Sequence, residues 1–193
     1  MFLPRRPSAA LIDRVLAVQR AAPLSYADPG MTRSADARGY PRNHHETVLG
    51  SGTDVYARAV AAVRGWAMYD LGWTEVHPPG APVAEGAVFA AVVRHLGFWS
   101  VNPCRVVYVE EEETAAGSTF GFAIGTLPLH SERGEERFRV EWDRGTGEVR
   151  FEILAYAAAH HWIARLGGPF VRHLQRRFGR AALEAVRARV ARG

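Results

Sequence analysis

Residues 137–147 read RFRVEWDRGTG. Arg137, Arg139 and Glu141 alternate with Phe138, Val140 and Trp142, and the run Asp143-Arg144-Gly145-Thr146-Gly147 follows at once. Alternation of period two that ends in Asp and Gly predicts one arm of an antiparallel hairpin, wet on one face and apolar on the other. The same pattern extends outward. Six strand-like segments, at about 72–77, 86–96, 101–111, 119–130, 135–143 and 147–156, are separated by the turn-rich runs HPPGAP, GFWSVNP, TAAGS, SERG and DRGTG.

Helical period flanks this block. Residues 8–22 predict a first helix with Ser8 as its cap and Leu11, Ile12, Val15, Leu16 and Val18 as its apolar side. An irregular loop rich in Pro and Gly spans 23–41, and a strand spans 42–49. A second helix starts with Thr53 as its cap and places Val55, Ala59, Ala62, Val63 and Trp66 on one side. A long last helix starts near Pro169, with Phe170, Leu174, Phe178, Ala181, Ala182 and Ala185 facing one way and arginines the other. An amphipathic helix needs an apolar surface and a curved sheet needs a cover. The expected fold is therefore α+β: about seven antiparallel strands curved around the long C-terminal helix, with residues 1–23 as a helical extension and 24–193 as the domain. One helix does not fill such a concavity, so a cavity is expected beneath it.

Composition sets bounds. At 193 residues, 48% hydrophobic and 23% charged, the chain reads as one ordinary globular domain. A single cysteine excludes an internal disulfide and a Cys-cluster zinc site. No apolar run approaches the ~20 residues of a membrane span, and the N-terminus lacks the apolar core of a signal peptide, which makes the cytoplasm the expected location. All 24 basic residues are arginines, which removes Schiff-base and P-loop lysine chemistry. Eight arginines against one acid lie between Arg165 and Arg192, whereas Glu110 to Glu113 form an acidic block. The basic end is expected to be a solvated helix face, since no aromatic stacking platform for nucleic acid accompanies it.

Three segments carry a family resemblance: FWSVNPCRVVYV at 98–109, FGFAIGTLPLHSERGEERFRV at 120–140 and GGPFVRHLQRRF at 167–178. They resemble a family of uncharacterised small proteins of bacteria and plants, described only as a domain of unknown function, over most of residues 24–180. The resemblance implies the helix-grip fold of the START-like, Bet v 1-like (birch-pollen-allergen-like) superfamily. It also implies a cavity for lipids, sterols or other apolar molecules under the last helix, with some superfamily members acting as cyclases, dehydratases or hydrolases. Ala157-Ala158-Ala159 stands where the family often carries a Ser-Arg-Pro turn, so the entry to the last helix is expected to differ.

Within that frame Cys104 has no sequence-local base and is expected to be a buried, inert thiol. Arg105 and Glu136 both sit on strands and are expected to point inward, where charges must be paired. They are predicted to form a polar patch on the cavity wall with Tyr108 and His130, beside Phe122, Phe138 and Trp142. The alternative is a structural ion pair without ligand contact. Gly121, Ala123 and Gly125 form a small-residue face that admits a close helix or a ligand. His44-His45 and His160-His161 are adjacent pairs, which point different ways and suggest no metal site; His95 and His130 are the better acid–base candidates. Gly50-Ser51-Gly52 lacks the third glycine of a dinucleotide fingerprint, and no cofactor is expected. The expected function is binding of a small apolar or amphipathic molecule. The rivals are acid–base catalysis in the same cavity, and contact between the arginine-rich helix and RNA or an acidic protein. The sequence does not set the oligomeric state.

Overall fold

The structure is a computed structural model that describes residues 1–34, 37, 39–95, 97–159 and 168–192, without the side chains of 159 and 168–174. His160-His161 and Trp162, and the side chains of Phe170 and Leu174, lie outside the described residues.

The chain runs β1 (Phe2–Leu3), α1 (Ala9–Gln19), α2 (Met31–Ser34), β2 (Arg42–Ser51), α3 (Thr53–Arg64), a 3₁₀ turn (Ala67–Tyr69), β3 (Thr74–His77), β4 (Val88–His95), β5 (Phe98–Glu113), β6 (Gly117–Thr126), β7 (Glu132–Asp143), β8 (Glu148–Ala159) and α4 (Gly168–Ala191). Seven strands lie in the order β2-β8-β7-β6-β5-β4-β3, and β1 adds to β5 as an eighth. Every pairing is antiparallel. The curved sheet with its C-terminal helix is the expected α+β helix grip.

Ser8 caps α1 by accepting from the Leu11 amide (3.3 Å). Thr53 does not cap α3; the cap is Gly52, at a φ of +91° that suits glycine. Between α3 and β3 the backbone departs from helix at Trp66, a non-glycine residue at φ +60°. Trp66 is held there by donating its indole N–H to Ala81 O (2.8 Å) and by ring contacts with Phe89 and Phe122 (centroids 4.5 and 5.1 Å). The 3₁₀ turn that follows carries Tyr69 over Phe138 and Phe178.

The core lies between the inner face of the sheet and α3, the 3₁₀ turn and α4. Phe120, Phe122, Phe138, Val140 and Phe151 are fully buried in it. The outer face is covered too. α1 lays Ile12, Val15 and Leu16 on Ala90, Val92 and Val101, and Tyr26 and Met31 pack on Leu154 and Tyr156. The segment expected to be an irregular loop at 23–41 thus forms, with α1, an outer layer. Its fit explains Gly125 on the small-residue face of β6, where a Cβ would lie 2.4 Å from the Tyr26 hydroxyl; at Gly121 the neighbour is instead β5, and a Cβ would lie 2.6 Å from a Glu110 carboxylate oxygen.

Candidate ligand-binding cavity

At one end of the grip the aromatic core stops and a cavity of about 320 Å³ begins. The reason is residue size. On the inner face towards the open ends of β7 and β8 stand Ala91, Cys104, Thr126, Gly134, Ala155 and Ala157, where the other end carries phenylalanines. Tyr69 and Trp73 roof it before β3, and Gln175 and Phe178 roof it from α4. Protein interiors hold few voids above the size of a water. This one is roughly ten times the ~30 Å³ that a water occupies.

One cross-strand row sets the polar centre. Ile124, Glu136, Ala155 and Asn43 are register partners across β6, β7, β8 and β2, and all four line the cavity. Glu136 lies deep in the protein, and the surface it keeps accessible faces the cavity. Among the described residues nothing hydrogen-bonds to its carboxyl. Burial, and after it the nearby Glu132 carboxylate, push the Glu136 carboxyl up to about 8. Glu132 is also raised by burial, and its Oε1 accepts from Gln175 Nε2 (2.8 Å), which opposes the rise. The Tyr69 hydroxyl is held well above its ordinary value, by burial first and then by Glu136, so it remains a proton donor. His95 is lowered by burial and by Arg177. The Glu132 amide donates to His130 Nδ1 (2.9 Å).

Of the residues singled out in the sequence, Glu136, His130, His95 and Cys104 line this cavity. Phe122 and Phe138 are packed into the adjoining aromatic core (centroids 5.4 Å apart), and Trp142 lies towards α3, against Tyr56. Arg105 and Tyr108 are on the outer face, so the expected Arg105–Glu136 pair does not form. The Arg105 guanidinium donates to Arg20 O (3.0 Å) and Ala22 O (2.9 Å), tying down the exit of α1. Arg105 faces outward by plain alternation, because its neighbours Cys104 and Val106 take the inner face; the β-bulge between Val106 and Tyr108 then reverses the facing of the later residues and turns Tyr108 outward too. Cys104 is buried beside the cavity, and burial holds its thiol far above the thiolate range. Tyr69, Trp73, Asn43, Thr126 and Gln175 were not singled out, because each meets the cavity only through long-range packing.

Tyr108 instead joins a buried network. It is hydrogen-bonded to Thr32 Oγ1 (2.7 Å). Glu135, 1% exposed, accepts from the Tyr26 hydroxyl (2.6 Å), the Gly30 amide (2.7 Å), the Thr32 amide (3.0 Å) and the Thr32 hydroxyl (2.5 Å). Arg137 donates to Thr32 O and to Glu152, both at 2.8 Å, and His44 meets the other Glu152 oxygen at 3.0 Å. Each charge here has partners, so the network reads as the anchor of the outer layer.

Residues 25–185 match the model of a domain of unknown function, DUF1990. The chain belongs to that family. A UPF0548 protein of Arabidopsis thaliana is 35% identical over 78% of this chain and 74% of its own length. One of Deinococcus radiodurans is 34% identical over 93% of this chain and 94% of its own. A Dictyostelium discoideum relative is 34% identical over 67% of this chain, which spans 63% of that protein's length. Among solved structures, a hypothetical protein of Helicobacter pylori superposes with a TM-score of 0.57 at 12% identity, covering 87% of this chain and 98% of its own. A Thermus thermophilus protein scores 0.53 at 16% identity over 78% of this chain and 97% of its own. At these identities the solved structures establish the fold alone: this DUF1990 member has the helix-grip fold. No described helix is long and apolar enough to cross a membrane.

Proposed function

We propose that the protein binds a small apolar or amphipathic molecule in the cavity between the sheet and α4. The observation that carries this reading is the 320 Å³ cavity itself, apolar along Ala91, Val93, Ile124 and Phe178 and polar at Glu132, Glu136 and Tyr69. Apolar walls with a few convergent polar groups are the common form of a small-molecule site. The Glu136 carboxyl supports it further, because the surface it keeps accessible faces the cavity and no described residue hydrogen-bonds to it, which leaves both oxygens open to a ligand.

A second reading has its own support. A carboxyl raised to about 8 is largely protonated at neutral pH and is poised as a general acid. Under that reading the bound molecule is also turned over, with Glu136 as proton donor and Tyr69 as a hydrogen-bonding partner. The two readings part on incubation with the retained molecule: a binder returns it unchanged, whereas an enzyme converts it.

Native mass spectrometry tests the shared claim. The purified protein is expected to carry a small molecule, and Ala91→Leu and Ala155→Leu, which fill the cavity from opposite sides, are expected to lose it while remaining folded. Undiminished ligand retention in both variants would contradict the site.

A further inference from the structure

We propose that the ligand is an organic cation, a protonated amine on an apolar body, whose ammonium sits between the Glu136 and Glu132 carboxylates and the Tyr69 hydroxyl. This deepens the binding reading above and rests on it.

Charge is the first ground. The chain has 24 arginines and no lysine, yet none of the described lining residues is an arginine, whereas Glu132 and Glu136 both project into the cavity. Arg177 stacks over Trp73 at 4.9 Å and does not itself line the cavity. A carboxylate ligand would bring a third acid against these two. An alcohol supplies no countercharge to the pair. A cation does, and so favours the ionised form of both groups.

Hydrogen-bonding capacity is the second. An ammonium has three donors and no acceptor. Both Glu136 oxygens lack a partner among the described residues, Glu132 keeps Oε2 once Oε1 has taken Gln175, and Tyr69 offers its hydroxyl oxygen. The rings of Tyr69 and Phe178, with centroids 5.3 Å apart, add aromatic surface beside these acceptors for a cation and its apolar stem.

The groups that face Glu136 decide the pH behaviour. They are Glu132 on its own strand, Tyr69 from the 3₁₀ turn, Cys104 from β5, His95 from β4 and His130 before β7, with neutral Asn43, Ala155 and Gln175 from β2, β8 and α4. Because Glu136 holds its proton at neutral pH, capture of a cation expels that proton. Amine affinity therefore rises as pH approaches 8, and binding near pH 7 releases close to one proton.

Titration calorimetry with octylamine, octanol and octanoate, one chain with three headgroups, tests this on the full protein and on Glu136→Gln and Glu132→Gln. At pH 8 octylamine is expected to bind on the order of tenfold more tightly than octanol, with octanoate weakest. Buffers of different ionisation heat should report proton release near pH 7. The amine preference should collapse in Glu136→Gln while octanol binding is retained, and Glu132→Gln should weaken it in the same direction. Octanol or octanoate binding at least as tightly as octylamine would overturn the cation and leave the cavity reading intact. An amine preference unchanged in both variants would also overturn it. Failure of all three probes to bind would remove both.

Discussion

Glu135 and Glu136 are adjacent, carry the same carboxyl and face opposite ways through the sheet. The first receives four hydrogen bonds from the outer layer, and the second receives none among the described residues. The difference in surroundings makes one an anchor and leaves the other a raised carboxyl that faces the cavity. It also has a sign that can be measured. Glu136 is raised to about 8 in the folded chain, far above its unfolded value, so folding binds its proton more tightly. Below the unfolded pKa both states are protonated and the group is neutral to stability. As pH rises towards 8 the unfolded state ionises first, and the folded state loses ground. Glu136→Gln removes that loss. The variant should melt at nearly the wild-type temperature near pH 4, and increasingly above it as pH rises to 8. A constant difference across that range would contradict a protonated Glu136. The inward aim of Glu136 was legible from its alternation with Phe138 and Val140. The outward aim of Arg105 was not, because the residues around it are apolar on both faces of the strand, and that of Tyr108 was not, because a bulge between Val106 and Tyr108 leaves no mark in a β-branched run.

At the scale of elements, α4 is held against β2 at one close crossing. A Cβ at Gly179 would lie 2.3 Å from His45 Cδ2 and 2.4 Å from Nε2. His45 is lowered by burial, and its Nε2 is buried without a partner among the described residues, so the ring has little room to yield. Gly179→Ala gains about 1 kcal/mol of helix propensity but incurs an overpacking cost of about 1–3 kcal/mol. Urea denaturation should show a net loss of stability, recovered when His45→Ala is added. Stabilisation by Gly179→Ala alone would contradict the crossing. Helix α4 was legible from Pro169 and its apolar spacing, and the hairpin of β7 and β8 from DRGTG. The outer layer was not. Its backbone is irregular, and the carboxylate that organises it, Glu135, lies more than a hundred residues from its donors.

For the whole molecule, the cavity follows from how the concavity is filled. α3 and the Trp66, Phe89, Phe122 cluster close one end, and the strained Trp66 backbone swings Tyr69 towards the other. There the sheet offers alanines, a glycine and a cysteine, and α4 spans a gap that it does not fill. With Phe120, Phe122, Phe138 and Phe151 fully buried at the closed end, that end is filled and the roof of Tyr69, Trp73 and Phe178 is the side a ligand must meet. The most direct test of the cavity as the binding site is amide chemical-shift mapping during titration with octylamine. The predicted result is saturable perturbation at Ala91, Ile124, Glu136 and Ala155, with Glu110, Tyr108 and Arg105 on the outer face unmoved. Perturbation confined to the outer face or to the exposed arginines of α4, with the inner row silent, would contradict it.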